Sequence, residues 1–580
     1  MNKSVYCGEI NDKCLNQKIT VNGWIKKNRK LGSLIFIDLY DFSGIVQIII
    51  NAENAYFSVV ESLPKESVVS VIGQVQIRSN INHELKTGKY EICLEEIIVY
   101  SKSLTPPFLI QDNTDGLEEL RMKYRYLDLR RPINHQKIAF RSKVNQSLRT
   151  FLTNNGFIEI ETPILSKQTP EGARDFLVPT RTKKFYALPQ SPQLYKQLLM
   201  VSGFNKYFQI ARCFRNEDLR ADRQPEFTQL DIEISFLSME FIMELIEKMI
   251  VSLFKNVMNI ELKIPFEKID YFYALENYGT DKPDLRYGMQ IIDVSKYFQK
   301  TNFKIFADAL NNNKVIKAII VDEHELSKSQ IKELEKYAFD NKCKGLAWLY
   351  IDLTQKKFVG SIANVVEKEI IEKIFIDYNI KKGTILMVAD ESKNALSAMG
   401  AIRIEAAKLT NIKYNKEYAF CWVVNWPLFE YDEQQKKYTS AHHPFTAPID
   451  KCIDDFDIHP KKAFAKAYDI VLNGFELGGG SIRIHDFNLQ KKMFSFLGIS
   501  ENEANDKFGF FMNAFNYGIP PHGGIAIGID RLVMLLTNSN NIREVIAFPK
   551  NSSGVDLMME TPSKINQCLL DELSLKQSKE

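Results

Sequence analysis

The run Phe214-Arg-Asn-Glu-Asp-Leu-Arg-Ala-Asp-Arg-Gln-Pro-Glu-Phe-Thr-Gln-Leu-Asp-Ile-Glu233 constrains this chain more than any other stretch. Arg215, Arg220 and Arg223 stand among Glu217, Asp218, Asp222 and Glu226. The run then becomes an alternation in which Phe227, Gln229 and Asp231 share one face of a strand. Arginine suits phosphate because its planar fork donates two parallel hydrogen bonds and keeps its charge. The interleaved acids hold the arginines apart and leave acceptors for other ligand groups. A surface hairpin with solvated ion pairs would have the same composition. The rest of the chain decides between the two.

With 580 residues, 45% hydrophobic and 25% charged, the composition is globular and the length implies several domains. A net charge of +3 gives no global basic field, so any nucleic-acid surface must be a local patch. The eight cysteines are scattered and form no CxxC pair, which speaks against a zinc ribbon, a disulfide scaffold or a redox motif. Residues 1–10 lack the apolar core of a signal peptide, and no apolar run is long enough to span a bilayer. The expectation is a reduced, soluble, cytoplasmic protein without a membrane partner.

Residues 1–105 read as short strands separated by turns, for example Lys18–Ile25, Ser33–Tyr40, Gly44–Ile50 and Ser67–Val75, and suggest a small barrel. Thr105-Pro-Pro-Phe108 breaks the pattern, and the polar stretch over 106–133 reads as a hinge. From 134 the spacing of Ile138, Val144, Leu148, Phe151 and Leu152 predicts a helix stopped by Gly156, followed by a strand over Phe157–Pro163. Over 284–413 strands (Lys314–Val321, Leu346–Ile351) and a helix (Ser329–Lys344) form an α/β block. Strand-rich sequence resumes at Phe420–Trp426. A block between two halves of one pattern suggests an insertion, which divides the rest into 134–283 and 414–580.

Two further segments point to a ligand. In Gly474-Phe-Glu-Leu-Gly-Gly-Gly-Ser-Ile-Arg483 the consecutive glycines let the backbone lie hard against a ligand, with Glu476 and Arg483 on either side. A carboxylate there can share a hard cation such as Mg2+ with a polyphosphate, and an arginine can grip a carboxylate. Gly523-Gly-Ile-Ala-Ile-Gly-Ile-Asp-Arg531 is a strand feeding a helix whose first turn carries Arg531, a place that favours anions. Both could be plain turns. There is no P-loop and no dinucleotide GxGxxG. His442 and His443 have no nearby third ligand, so a hydrogen-bond donor, neutral or cationic, fits them better than a metal site.

The segments Gly156–Leu165, Phe214–Glu233 and Gly528–Arg531 resemble, in order, motifs 1, 2 and 3 of the class II aminoacyl-tRNA synthetases. Class I signatures are absent, and Leu326-Ser-Lys-Ser329 reads as a helix start. Gln168–Phe176, Gln190–Lys196, His442–Thr446 and Phe475–Arg483 are similar to the bacterial-type aspartyl-tRNA synthetases over nearly the whole chain. The resemblance implies a multidomain α+β protein. An N-terminal OB-fold β-barrel would bind the anticodon. A class II catalytic domain would be built on an antiparallel β-sheet flanked by helices and would carry an inserted, GAD-like α/β domain.

The implied activity is ATP-dependent formation of aspartyl-adenylate from L-aspartate, then transfer to the 3′-terminal adenosine of tRNA-Asp, by a homodimer. Arg215 would bridge the α-phosphate of ATP and the aspartate α-carboxylate. Asn216, Glu217, Gln224 and Glu476 would contact ATP, and Phe227 would stack on adenine. Gly528, Ile529, Asp530 and Arg531 would hold the far phosphates, and Asp469 and Glu476 would hold Mg2+. Arg483 and Lys196 would grip the side-chain carboxylate, with Glu171, Gln193 and Asp231 around the ammonium group and Ser191 close by. His442 would close over the substrate from a mobile loop. Arg215, His442 and Arg531 would carry the catalytic roles. In the barrel, Arg29, Phe36 and Gln47 match the anticodon readers, where stacking plus hydrogen bonds suit unstacked bases.

Asparaginyl- and lysyl-tRNA synthetases share the barrel and motifs, but Arg483 and the inserted block disfavour them. A tRNA-binding protein with a dead catalytic domain conflicts with the intact set of Arg215, Glu217, Glu476 and Arg531. An asparagine synthetase on the same core would leave the barrel unexplained. Leu31 before Gly32 is the variant associated with enzymes restricted to tRNA-Asp, and it leaves charging of tRNA-Asn open.

Overall fold

The computed structural model describes residues 3–168 and 172–576. The chain divides into two compact units, residues 1–135 with 556–560, and residues 136–555 with 561–580.

The first unit is built on β1 (Lys18–Leu31), β2 (Leu34–Asp41), β3 (Gly44–Asn51), β4 (Val68–Ile77) and β5 (Tyr90–Ser101). They hydrogen-bond in the order β1-β2-β3-β5-β4, and β4 pairs back onto β1, so the sheet closes. All these pairings are antiparallel except β3 with β5. Closure follows the period-2 pattern of the sequence. Ile19, Val21, Ile35, Ile37, Leu39, Val46 and Ile48 point inward and form one core. After the barrel, the stretch read as a hinge contains two short helices, Glu118–Lys123 and Arg125–Asp128. Asp128 is fully buried there between Arg125 and Arg131.

In the second unit α1 (Pro132–Asn154) ends at Gly156, whose φ of +79° is open to glycine at little cost. The strand expected over Phe157–Pro163 is reduced to β6 (Ile158–Glu159), because the neighbouring β7 pairs with it over just these two residues. There follow α2 (Gln193–Val201), β7 (Lys206–Phe214), β8 (Glu226–Ser235), α3 (Met239–Leu253), β9 (Glu267–Asp270), β10 (Phe420–Val424), β11 (Ala467–Leu472), β12 (Phe475–Ile482), β13 (His522–Gly528) and α4 (Ile529–Leu536). The sheet order is β9-β10-β11-β12-β13-β8-β7-β6. The central pairings are antiparallel, and each edge adds one parallel strand.

One face of this sheet is apolar. Leu230, Ile232, Ile525 and Ile527 meet Val144, Leu148 and Leu152 of α1, Ile242, Ile246 and Met249 of α3, and Leu532 and Val533 of α4. Full burial of such a side chain stabilises by roughly 1.5–3 kcal/mol, so this face holds the helices to the sheet. The alternation seen in the sequence leaves Phe227, Gln229 and Asp231 on the other face.

Between β9 and β10 lies the inserted block. Its five strands run antiparallel throughout, in the order Ile292–Asp293, Val315–Asp322, Lys382–Asp390, Ala347–Asp352, Lys357–Gly360. Helices cover both faces and make two cores. Ser327 caps the helix Lys328–Asp340 with a reciprocal Gln330 bond, so the Leu326–Ser329 segment is an ordinary helix start. Arg403 ties the end of the block back to its first residues. Its buried guanidinium donates to the carbonyls of Asp284, Tyr287, Gly288 and Met289 and lies over the rings of Tyr278 and Tyr287.

Asp530 joins α4 to the rest of the unit. One carboxylate oxygen pairs with Arg141 of α1, and the other accepts the Thr228 N–H of β8 at 2.6 Å. Removing one side of a buried pair strands the other. Asp530→Ala is expected to cost about 3 kcal/mol in denaturant unfolding, and Asp530→Asn clearly less.

Candidate active site

The polar face of the large sheet is the floor of a cleft of about 820 Å3. Its walls are the start of α2, the arginine-rich loop before β8, Asp281 and Lys282, and the Ala441–His443 segment. At one end sits a buried charge cluster. Lys196 Nζ lies 3.1 Å from Asp231 Oδ1 and 3.4 Å from Glu233 Oε2. Arg483 donates Nε to Glu233 Oε1 at 2.9 Å and Nη2 to Oε2 at 3.2 Å. Its Nη1 meets Ser481 Oγ at 2.5 Å and His443 Nε2 at 2.6 Å. Burial works against the charge on Glu233, but Arg483 and Lys196 hold its carboxyl below the usual range. Burial raises Asp231 instead, against the pull of Lys196. Asp231 Oδ2 and Gln193 Nε2 are buried with no hydrogen-bond partner among the described residues. An acceptor and a donor left open beside two cations fit a small zwitterion with an extra carboxylate.

The other end is arginine-lined. The Arg215 guanidinium lies 5.0 Å from the centroid of the Phe227 ring, and Arg223 pairs with Glu217 at 2.7 Å. Arg531 donates Nη1 to the Glu476 carbonyl at 2.5 Å and Nη2 to Asp222 at 3.1 Å, while its buried Nε has no partner among the described residues. Between the two ends is a carboxylate group. Asp469 Oδ1 is buried without a partner among the described residues, and burial together with Glu476 and Asp281 pushes that carboxyl well up. Glu476 Oε2 takes the Lys282 ammonium at 2.9 Å.

Among the described residues no three His, Cys, Asp or Glu side chains are arranged as a complete metal site. The orphaned Asp469 oxygen beside Glu476 is instead a half-site of hard donors, which fits an Mg2+ whose other ligands come from phosphates and water. The glycine floor makes this possible. A Cβ on Gly479 would come within 2.6 Å of Asp469 Oδ1, and one on Gly524 within 2.2 Å of Glu233 Oε2.

The structure therefore gathers Ser191, Gln193, Lys196, Arg215, Glu217, Gln224, Phe227, Asp231, His442, Asp469, Glu476, Arg483, Gly528, Asp530 and Arg531 around one cleft. Two of the residues expected at ATP do not face it. Asn216 is exposed and pairs through its backbone with Arg174, and the Ile529 side chain is fully buried in the helix-side core. Gln224 lines the cleft, but its amide is engaged by the main chain of Lys550, accepting from its N–H at 2.8 Å and donating to its carbonyl at 3.0 Å. Glu171 lies outside the described residues. Sequence reasoning gave no role to Glu233, Asp281 or Lys282. The same alternation that selects Asp231 also selects Glu233.

The histidines are neutral donors or acceptors here. Burial lowers His442 to about 4 and drives His443 well below its ordinary value, which favours the neutral form of both. His442 stands edge-on to Trp426 at 5.0 Å, and its Nε2 is buried without a partner among the described residues.

On the outer face of the barrel, Arg29 lies opposite Phe36 in the β1–β2 register and pairs with Asp38 at 3.1 Å. Gln47 lies opposite Asp38 and donates to Glu91 at 2.6 Å. The half-exposed Phe36 ring is thus framed by ordered polar groups.

His522, on β13 beside Glu233, is almost fully buried, and burial lowers it to about 4. The unfolded chain takes up a proton near pH 6.5 that the folded chain refuses until about pH 4. Stability is thus complete above pH 6.5 and falls as the pH drops towards 4, by up to about 3 kcal/mol from this residue. Urea unfolding at several pH values should show that loss, and His522→Asn should lack His522's share of it.

A family model described as class II tRNA synthetases (D, K and N) matches residues 117–552, and one described as an OB-fold nucleic acid binding domain matches residues 19–100. The chain is 58% identical to an aspartate–tRNA ligase of Malacoplasma penetrans over all of both chains. It is 50% identical to one of Ureaplasma parvum over 99% of each. An aspartate–tRNA(Asp/Asn) ligase of a Geobacillus species is 47% identical over 99% of this chain and 98% of its own. Among solved structures, asparaginyl-tRNA synthetase of Pyrococcus horikoshii shares the fold, with a TM-score of 0.60 at 18% identity over 95% and 98% of the two chains. The motifs, the closed barrel and the cleft on the antiparallel sheet agree with these matches, and the chain belongs to the class II tRNA synthetases of the D, K and N group.

Proposed function

We infer that this protein joins L-aspartate to tRNA-Asp at the expense of ATP. The observation that carries the amino-acid choice is the buried pair of cations, Lys196 and Arg483, held by Glu233 at the end of the cleft. Aspartate presents its side-chain carboxylate to them, and Asp231 with Gln193 receives its ammonium group. Ser191 stands beside them, and Glu171 is the third expected partner of that group.

Arg215 bridges the α-phosphate and the α-carboxylate, with the adenine over Phe227 and the far phosphates at Arg531 and Gly528. The carboxylate attacks the α-phosphorus in line and pyrophosphate leaves. The terminal adenosine hydroxyl of tRNA then attacks the mixed anhydride. Asp469 and Glu476 would hold Mg2+, which neutralises phosphate charge when bound. The chain supplies no nucleophile. It contributes positioning and fixed positive charge where negative charge builds up. Neutral His442 covers the amino acid.

Residues 1–105 take the anticodon through Arg29, Phe36 and Gln47, residues 106–133 link, 134–283 and 414–580 catalyse, and 284–413 are an insertion. The exposed Ile158, Ile164 and Leu165 after α1 supply an apolar strip for a two-fold homodimer. No helix among the described residues is long and apolar enough to cross a membrane, and the reaction belongs to the cytoplasm.

Two measurements test this reading. Arg215→Ala should reduce aspartate-dependent ATP–pyrophosphate exchange by roughly 10²–10³-fold while leaving the unfolding midpoint almost unchanged. A near-normal exchange rate would overturn the assignment. Asparagine leaves buried cations without a carboxylate, so the wild-type chain should prefer aspartate by roughly 10⁴–10⁵-fold in activation without an editing step. Charging purified tRNA-Asp and tRNA-Asn with labelled aspartate then separates the narrow from the wider tRNA choice.

A further inference from the structure

Lys282 occupies the place that a bound divalent cation would contest. Its ammonium lies 2.9 Å from Glu476 Oε2 and 4.0 Å from Asp281 Oδ2, and it neutralises one of three neighbouring carboxylates. The third, Asp469, keeps a buried oxygen without a partner among the described residues. Lys282 also stands close enough to Arg531 for their charges to oppose each other, and Arg531 holds the Glu476 carbonyl. The lysine side chain is 37% exposed within the cleft, so it is tied at one end only.

A cation entering between Asp469 and Glu476 would need the carboxylate that Lys282 now holds. Two cations cannot share it without strong repulsion. The displaced ammonium sits on a flexible four-carbon stem with three donors, unlike an arginine fork, and can be re-aimed over several ångströms. The acceptors nearest to Arg531 and the cation, in the reading above, are the far phosphates of ATP.

We propose that Lys282 is a phosphate-binding residue of the activation step, held on Glu476 until the divalent cation arrives and then transferred to the two phosphates that leave as pyrophosphate. The exchange breaks one ion pair and forms another, with no change in covalent bonding. It rests on the assignment of Asp469 and Glu476 to the cation and of the cleft to ATP. It explains how a site rich in carboxylates can stay folded before its cation is present and still attract a tetra-anion afterwards.

The test uses the full chain with Lys282→Met and Lys282→Arg. Mn2+ alone, titrated without nucleotide and followed by electron paramagnetic resonance, should bind Lys282→Met about ten-fold more tightly than wild type, the effect of losing one charge-assisted hydrogen bond that competes with it. Pyrophosphate with Mg2+, followed by calorimetry, should bind the same variant about ten-fold more weakly. Lys282→Arg, which keeps the charge, should stay close to wild type in the Mn2+ titration. An unchanged Mn2+ affinity or an unchanged pyrophosphate affinity in Lys282→Met overturns the proposal. Wild-type ATP–pyrophosphate exchange is run alongside. If it is absent, the reading of the cleft fails; if it is present while the variant binds both probes normally, only the role of Lys282 fails.

Discussion

Glu233 is the interaction on which the site depends. A carboxylate with no exposed surface has no water to stabilise it, and it stays ionised only because Arg483 and Lys196 both reach it. The dependence runs in both directions. Without Glu233 the two cations would lie a few ångströms apart in a dry pocket, with only Asp231 between them. The acid sets their spacing, and through it the shape of the ligand that can complete the cluster. A neutral amide would leave the pocket with excess positive charge, whereas a carboxylate balances it. The charge of this cluster is therefore fixed at folding.

The rest of the architecture keeps that charge in place. Gly524 leaves room for the Glu233 carboxylate, and Gly479 does the same for Asp469. Asp530 ties the third motif to the first helix and to the strand that carries Glu233. The inserted block, though it has two cores of its own, is fastened through Arg403 to the chain that follows Asp281 and Lys282. An element with no side chain in the cleft thus helps to position two residues that are in it.

Much of this was legible in the sequence where a residue's neighbours along the chain determine its surroundings. The alternation over Phe227–Glu233 assigned faces correctly because strand period is local, and Gly156 and Ser327 marked helix ends by their own chemistry. The cleft was legible as a set of parts, since arginines, a glycine floor and a helix start each carry a signature. Relations between distant segments were not legible. Nothing near Gln224 shows that Lys550 will claim its amide, and nothing near Ile529 shows that its side chain turns into the core beside Asp530. Lys282 drew no role because its partner, Glu476, lies far along the chain. The strand expected over 157–163 was overextended because β-branched residues raise local propensity without supplying a neighbouring strand to bond.

The eight-stranded sheet has one further consequence. In β8, Leu230, Ile232 and Ile234 pack against helices, whereas Phe227, Gln229 and Asp231 line the cleft. Cohesion and chemistry therefore lie on opposite sides of a single layer of backbone. Side chains that line the cleft can therefore change while those packed against the helices keep the scaffold intact.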